Sequence, residues 1–222
     1  MHDTNQNAAY IAHQLSRLGD DNESYSYWTF GDVFEEQGVP FTPFHGGFGL
    51  VANGCIPKPT FWTFVFFKKL KELEGYCVYR DDNTVIIRME TGEYRGVAWN
   101  MTCKRLDDIM TLNYEFKTDT NEFCLLTKRV DESTCNPLKV WHDLGEPANP
   151  TQEQIAVLQD VAKPFVQTNS IFAKDSLARF QINLPENAVV YFELKPAHRS
   201  ADRGYDYNRI IQSYNCTYKG YK

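Results

Sequence analysis

Three carboxylates, Asp32, Glu35 and Glu36, follow the aromatic run YSYWTF of residues 25–30, and His45 stands in the glycine-rich stretch FHGGFGL of residues 44–50. These side chains are the ones whose types could do chemistry. An ionised carboxylate accepts strong hydrogen bonds from hydroxyl donors, and an aromatic ring offers a flat apolar face on which a sugar ring can pack. Adjacent Glu35 and Glu36 point apart on an extended chain, which makes them an awkward acid and nucleophile pair. Asp32 directly follows Gly31, where a short carboxylate can equally cap a turn. His45 either shapes a loop whose paired glycines let backbone approach closely, or is satisfied by loop carbonyls. By type alone, Glu35-Glu36 also reads as an exposed acidic loop and Trp28 as a core residue.

The elements that would position these residues are legible around them. Ala8, Ile11, Ala12, Leu15 and Leu18 recur at helical spacing within residues 7–18, and Gly19 supplies a stop. YSYWTF suits a buried strand of about 5–6 residues ending near Gly31. Residues 31–60 hold too many glycines and prolines for regular structure and are expected to form a long ordered loop, a kind of segment that often carries function. FWTFVFFKKLKEL then reads as a helix, with Pro59 in its first turn and Lys68, Lys69 and Lys71 near its C-terminal end. From about residue 75 the pattern changes to short runs of period two or nearly so: GYCVYR, TVIIRM, RGVAWNM, TLNYEF, FCLLTKRV, LARFQINL and AVVYFEL. Turn residues between them predict an antiparallel sandwich. One helix over 151–162 interrupts the strands, opened by Thr151 with Gln154 three residues on and closed near Pro164. The pattern after His198 suggests no element.

Composition limits the partners. The 222 residues carry a net charge of -6, which argues against nucleic acid or an anionic membrane as the main partner, because a phosphate-binding face needs clustered cations. Aromatic residues make 14% of the chain, in keeping with a neutral partner such as sugar or with a β-rich aromatic core. The 6 cysteines form no C-x-x-C pair, so they read as buried free thiols rather than zinc ligands. No charged and apolar leader pattern and no membrane-length apolar stretch is seen, which predicts a cytoplasmic protein.

SYWTFGDVFEE (26–36), FHGGFGL (44–50) and IPKPTFWTFVFF (56–67) occur in that order at close spacing. Together they resemble the last barrel strand, active-site loop and last helix of glycoside hydrolase family 39, the β-xylosidase type. HDTNQNAAYIA (2–12) resembles the family's segment just after the nucleophile-bearing strand, and the strand-rich remainder resembles its accessory β-domain. The resemblance implies an α+β chain: a mainly antiparallel β-sandwich (74–222) preceded by a helix-strand-helix remnant of a (β/α)₈ barrel (1–73). It also implies retaining hydrolysis of xylosides, in which one glutamate protonates the leaving group and a second, about 5–5.5 Å away, attacks the sugar. The Asn-Glu-Pro and Thr-Glu-Phe sequences that carry these glutamates in the family do not occur here, so a truncated, inactive or weakly active enzyme is expected. By position, Trp28 matches the platform under the xylose ring, Glu35 and Glu36 match the residues that hold xylose hydroxyls, and His45 is a further contact candidate. Xylose or a xylo-oligosaccharide is the implied partner, with no cofactor and no metal. Apolar surface left by a partial barrel would favour self-association. Two other readings remain open: a small active β-xylosidase using Asp32, Glu35 and Glu36, or a non-catalytic sugar-binding module using Trp99 and Trp141.

Overall fold

The computed structural model describes residues 1–20, 23–33, 38, 40, 42–71, 74–102 and 109–197. In chain order the elements are α1 (Asn5–Ser16), β1 (Val51–Ala52), β2 (Ile56–Pro57), α2 (Pro59–Lys71), β3 (Gly75–Arg80), β4 (Thr84–Met89) and β5 (Tyr94–Trp99). They continue with β6 (Met110–Lys117), β7 (Glu122–Val130), α3 (Pro137–Asp143), α4 (Gln152–Val161), β8 (Phe165–Phe172), β9 (Leu177–Leu184) and β10 (Val189–Pro196). The α+β class and the predominance of antiparallel sheet follow the sequence expectation.

A six-stranded antiparallel sheet, in the order β3-β4-β5-β10-β7-β8, is the spine of the molecule. Strand β10 lies near its middle, and its side chains alternate between two cores, as the period of a pleated strand requires. Val190, Phe192 and Leu194 face the two-stranded sheet β6-β9 and meet Tyr114, Phe180 and Ile182. Val189 and Tyr191 face the opposite way and pack with Ala8, Ala12, Phe66 and Leu70 of α1 and α2. The small residues of α1 allow that helix to sit close, and Thr63 of α2 donates its hydroxyl to the Ala8 carbonyl at 3.1 Å. Gly96 pairs with Phe192 across the β5–β10 ladder. A Cβ on Gly96 would fall 2.2 Å from the Phe192 ring, so only glycine leaves that ring its place.

A third core, of Phe44, Ala52, Ile56, Trp141, Leu158 and Ala162, joins the glycine-rich loop to α3 and α4. Helix α4 begins with the expected capping box: the Thr151 hydroxyl accepts from the Gln154 N–H, and the Gln154 side chain accepts from the Thr151 N–H. Helix α3, strand β8 and the two-residue strands β1 and β2, which fall within the stretch expected to be a loop, are additional to the expected elements. Asn136 caps α3 with Pro137 at its start, a signal present in the sequence, whereas β8 is an exposed edge strand without the alternation that marks a half-buried one.

Two expectations are corrected. Residues 25–30 are not a ladder strand: no strand is formed there, bends fall at Trp28 and Phe30, and Thr29 and Phe30 bond the backbone of Phe48, Leu50 and Val51. The described cysteines are free, but only Cys135 is buried, while Cys55, Cys77 and Cys124 are exposed because they sit on a loop and on outward positions of β3 and β7.

Candidate functional site

The segment 25–30 has two sides. Tyr27 turns inward, where its hydroxyl accepts from the Asn7 side chain at 3.1 Å and its ring meets Phe64 edge-on at 5.4 Å. Trp28 and Phe30 turn outward and are 66% and 70% exposed. The peptide between Trp28 and Thr29 is cis. Phe48, at the tip of the glycine-rich loop, is 51% exposed, and its backbone carbonyl accepts from Thr29 N–H at 3.3 Å. Three large rings therefore face solvent on two strands of chain that are bonded to each other. Core packing, one of the two readings of Trp28, does not describe its position.

Beneath this surface lies a buried ionic cluster. Lys58, with no exposed surface, places its Nζ 2.6 Å from Asp3, 2.7 Å from Asp32 and 2.8 Å from the Gly47 carbonyl. Its three N–H donors are thus all used. The carboxylates accept again from the backbone: Asp32 from Gly49 N–H and Asp3 from Gly46 N–H, each at 2.7 Å. Burying these charges is costly unless every lone pair and proton is matched, and here the matching partners are loop backbone groups. The cluster consequently fixes FHGGFGL against the start of α1 and the segment that follows Phe30. Glycine is needed where the loop closes on the cluster: a Cβ on Gly49 would lie 2.4 Å from the Asp32 backbone nitrogen. His2 lies at the rim, edge-on to Phe48 at 4.9 Å, and burial together with the nearby N-terminus and Lys58 lowers its pKa.

Asp32 was a candidate for acid or nucleophile work, but it is 2% exposed and both its oxygens are engaged, which makes it a positioning group for the loop. His45 is half-buried, with Nδ1 3.2 Å from the Thr42 carbonyl. Glu35 and Glu36 lie outside the described residues. Lys58 and Asp3 were missed by sequence reasoning. The available signal was a lysine set between two prolines, in IPKP, where its backbone is fixed and its charge cannot simply be solvated by a flexible loop.

The tryptophans proposed for a sugar-binding sandwich face are not placed for it. Trp99 is fully buried between β5 and α2, and Trp141 is buried with its indole N–H donating to the Pro147 carbonyl at 3.1 Å. Each fills a core because its strand or helix face is covered on that side. Among the described residues, no group of three or more His, Cys, Asp or Glu side chains could hold a metal ion, and no helix is long and apolar enough to cross a membrane.

Residues 1–177 match the family model described as glycosyl hydrolases family 39. The chain is 39% identical over 197 residues to a β-xylosidase of Geobacillus stearothermophilus, covering 88% of this chain and 38% of that protein. It is 34% identical over 162 residues to a β-xylosidase of Caldicellulosiruptor saccharolyticus, covering 71% and 33%. Among solved structures, a monomeric β-xylosidase from Caulobacter crescentus CB15 superposes with a TM-score of 0.73 at 26% identity, over 89% of this chain and 42% of that one. The family 39 enzyme of Xanthomonas axonopodis pv. citri gives the same TM-score at 25% identity, over 88% and 42%. The chain thus spans about two fifths of the length of the relatives it matches, and it belongs to glycosyl hydrolase family 39.

Proposed function

We propose that this chain supplies the sugar-positioning side of a β-xylosidase-type site, with Trp28 as the platform for a xylose ring and Glu35 and Glu36 as acceptors for its hydroxyls. The observation that carries this reading is the exposed Trp28 on a segment locked by the Lys58 cluster, since a stacking platform must be both accessible and held still. His45, in the same loop, is the further contact. Residues 1–73 are read as the C-terminal part of a (β/α)₈ barrel and residues 74–222 as the accessory sandwich. The identity to two proteins named β-xylosidase supports xylose or xylo-oligosaccharide as the partner.

In this reading the acid/base and nucleophile are not among the 222 residues, because neither the Asn-Glu-Pro nor the Thr-Glu-Phe sequence is present. Turnover by this chain alone is therefore absent or weak. The alternative of a small self-sufficient enzyme loses support from Asp32, whose carboxylate is occupied by Lys58 and Gly49. Three exposed free cysteines suit a reducing compartment such as the cytoplasm. Release of nitrophenol from an aryl β-xyloside by the purified chain tests the proposal. No release beyond that of a mock preparation is expected. Turnover abolished by Glu35→Gln or Glu36→Gln would overturn it in favour of a catalytic centre within this chain.

A further inference from the structure

The two-stranded sheet β6-β9 is narrower than the six-stranded sheet it packs on, and the β3–β4 hairpin overhangs it. Tyr76, Val78 and Tyr79 are consequently exposed on β3, and a cleft of about 400 Å³ opens between the hairpin and β6, a volume in the range of small-molecule sites. Aromatic rings line it. Tyr79 stands on the hairpin, and Tyr114, Phe116 and Tyr94 follow one another along the other side, with centroids 6.5 Å and 4.2 Å apart.

The two ends of the cleft differ in chemistry. At one end the Thr84 and Tyr114 hydroxyls lie 3.0 Å apart. Beside them Asp81 accepts from the Tyr79 hydroxyl at 2.7 Å and from the Asn83 N–H at 2.8 Å, which leaves lone pairs for further donors. At the other end Arg88 faces Tyr94 across the β4–β5 ladder, its guanidinium 5.7 Å over that ring, and Lys117 follows Phe116. Neither cation is paired with a carboxylate among the described residues: the Arg88 guanidinium bonds the Tyr76 hydroxyl at 3.5 Å, and the Lys117 ammonium has no partner. Glu115, the other carboxylate of the lining, is taken by Arg179 at 2.6 Å.

We propose that this cleft binds an acidic sugar of disaccharide size, with its hydroxyls at the Asp81, Thr84 and Tyr114 end, its ring faces on the aromatic lining and its carboxylate held by Arg88 and Lys117. A carboxylate gives the two unmatched cations charge-assisted hydrogen bonds, which a neutral sugar cannot do. A simple carboxylic acid, in turn, leaves the rings and the hydroxyl-binding end unused. None of these residues belongs to the surface that carries Trp28, so the inference stands apart from the reading of that surface.

Calorimetric titration of the Trp28→Ala chain reads the cleft without a contribution from the Trp28 ring. The probe is glucuronosyl-xylose, and xylobiose, of similar size but uncharged, is the control. Saturable binding of the acidic disaccharide and none of xylobiose is expected, with no displacement by an equal concentration of acetate. Adding Arg88→Gln or Lys117→Gln should weaken binding roughly tenfold each, the share of one hydrogen bond to a charged group. Both residues are exposed, so the fold should be kept, as circular dichroism verifies. Tyr79→Ala should also weaken binding, with the charges untouched. No saturation at millimolar acidic disaccharide, equal binding of xylobiose, displacement by acetate, or unchanged affinity in either charge variant would each overturn the proposal.

Discussion

At the scale of the residue, the central element is Lys58. Its ammonium is enclosed by two aspartates and a carbonyl, and no water-exposed surface remains to absorb a change. Removing one partner of a buried, hydrogen-bonded charge cluster leaves the others uncompensated, which typically costs about 3–5 kcal/mol. Lys58→Met should therefore lower the unfolding free energy by roughly that amount, read as a shift of the urea midpoint with an unchanged slope. A loss below about 1 kcal/mol would mean that the cluster adds nothing beyond an exposed ion pair. Trp28 was legible in the sequence as a candidate platform because its motif is local. Asp32 looked like a candidate acid or nucleophile because its true partner, Lys58, comes from beyond the glycine-rich loop and is shared with Asp3 from the first turn of the chain. Local pattern carries no signal for such a contact.

At the scale of the element, strand β10 and helix α2 meet across a polar seam inside an otherwise apolar contact. Tyr191 donates its hydroxyl to Glu193 at 2.6 Å, Arg95 bonds Glu93, and a second Arg95 nitrogen donates to the Lys69 carbonyl near the end of α2 at 3.2 Å. Burial by itself would raise the Glu193 pKa, but hydrogen bonds from Lys195 and Tyr191 and the charges of Lys195 and Arg95 bring it below the ordinary glutamate value. A carboxylate lowered in the folded state stabilises the fold above its unfolded pKa, and that contribution is lost as pH falls through the folded value. Stability should thus decline on acidification from about pH 4.3 downward, the region of the ordinary glutamate pKa. Thermal unfolding followed against pH should show a shallower acid decline for Glu193→Gln than for the unsubstituted chain, and identical slopes would contradict the assignment. The helices and alternating strands that make this seam were readable because each has one covered face. Strand β8 was not, since an edge exposed on both faces has no apolar period to read.

At the scale of the whole molecule, the two parts of the chain are joined by a common core. Residues of α1 and α2 pack with Val97, Trp99, Val189 and Tyr191 of the central sheet, and the glycine-rich loop is backed by α3 and α4. The central sheet, with α3 and α4, thereby backs the helices and the loop next to the surface that carries Trp28. The class of fold was legible from the change of period near residue 75, whereas this shared core was not, because it is assembled from residues distant in sequence. Trp99 and Trp141 are buried in that support, so of these and Trp28 only Trp28 is open to a ligand. The most direct test is a titration of the chain with xylobiose, followed by tryptophan fluorescence. A saturable change, lost or weakened roughly 2- to 12-fold in Trp28→Ala and kept in Trp28→Phe, is the predicted result, given about 0.5–1.5 kcal/mol for an aromatic stacking contact. No saturable change, or equal binding by Trp28→Ala, would contradict the account.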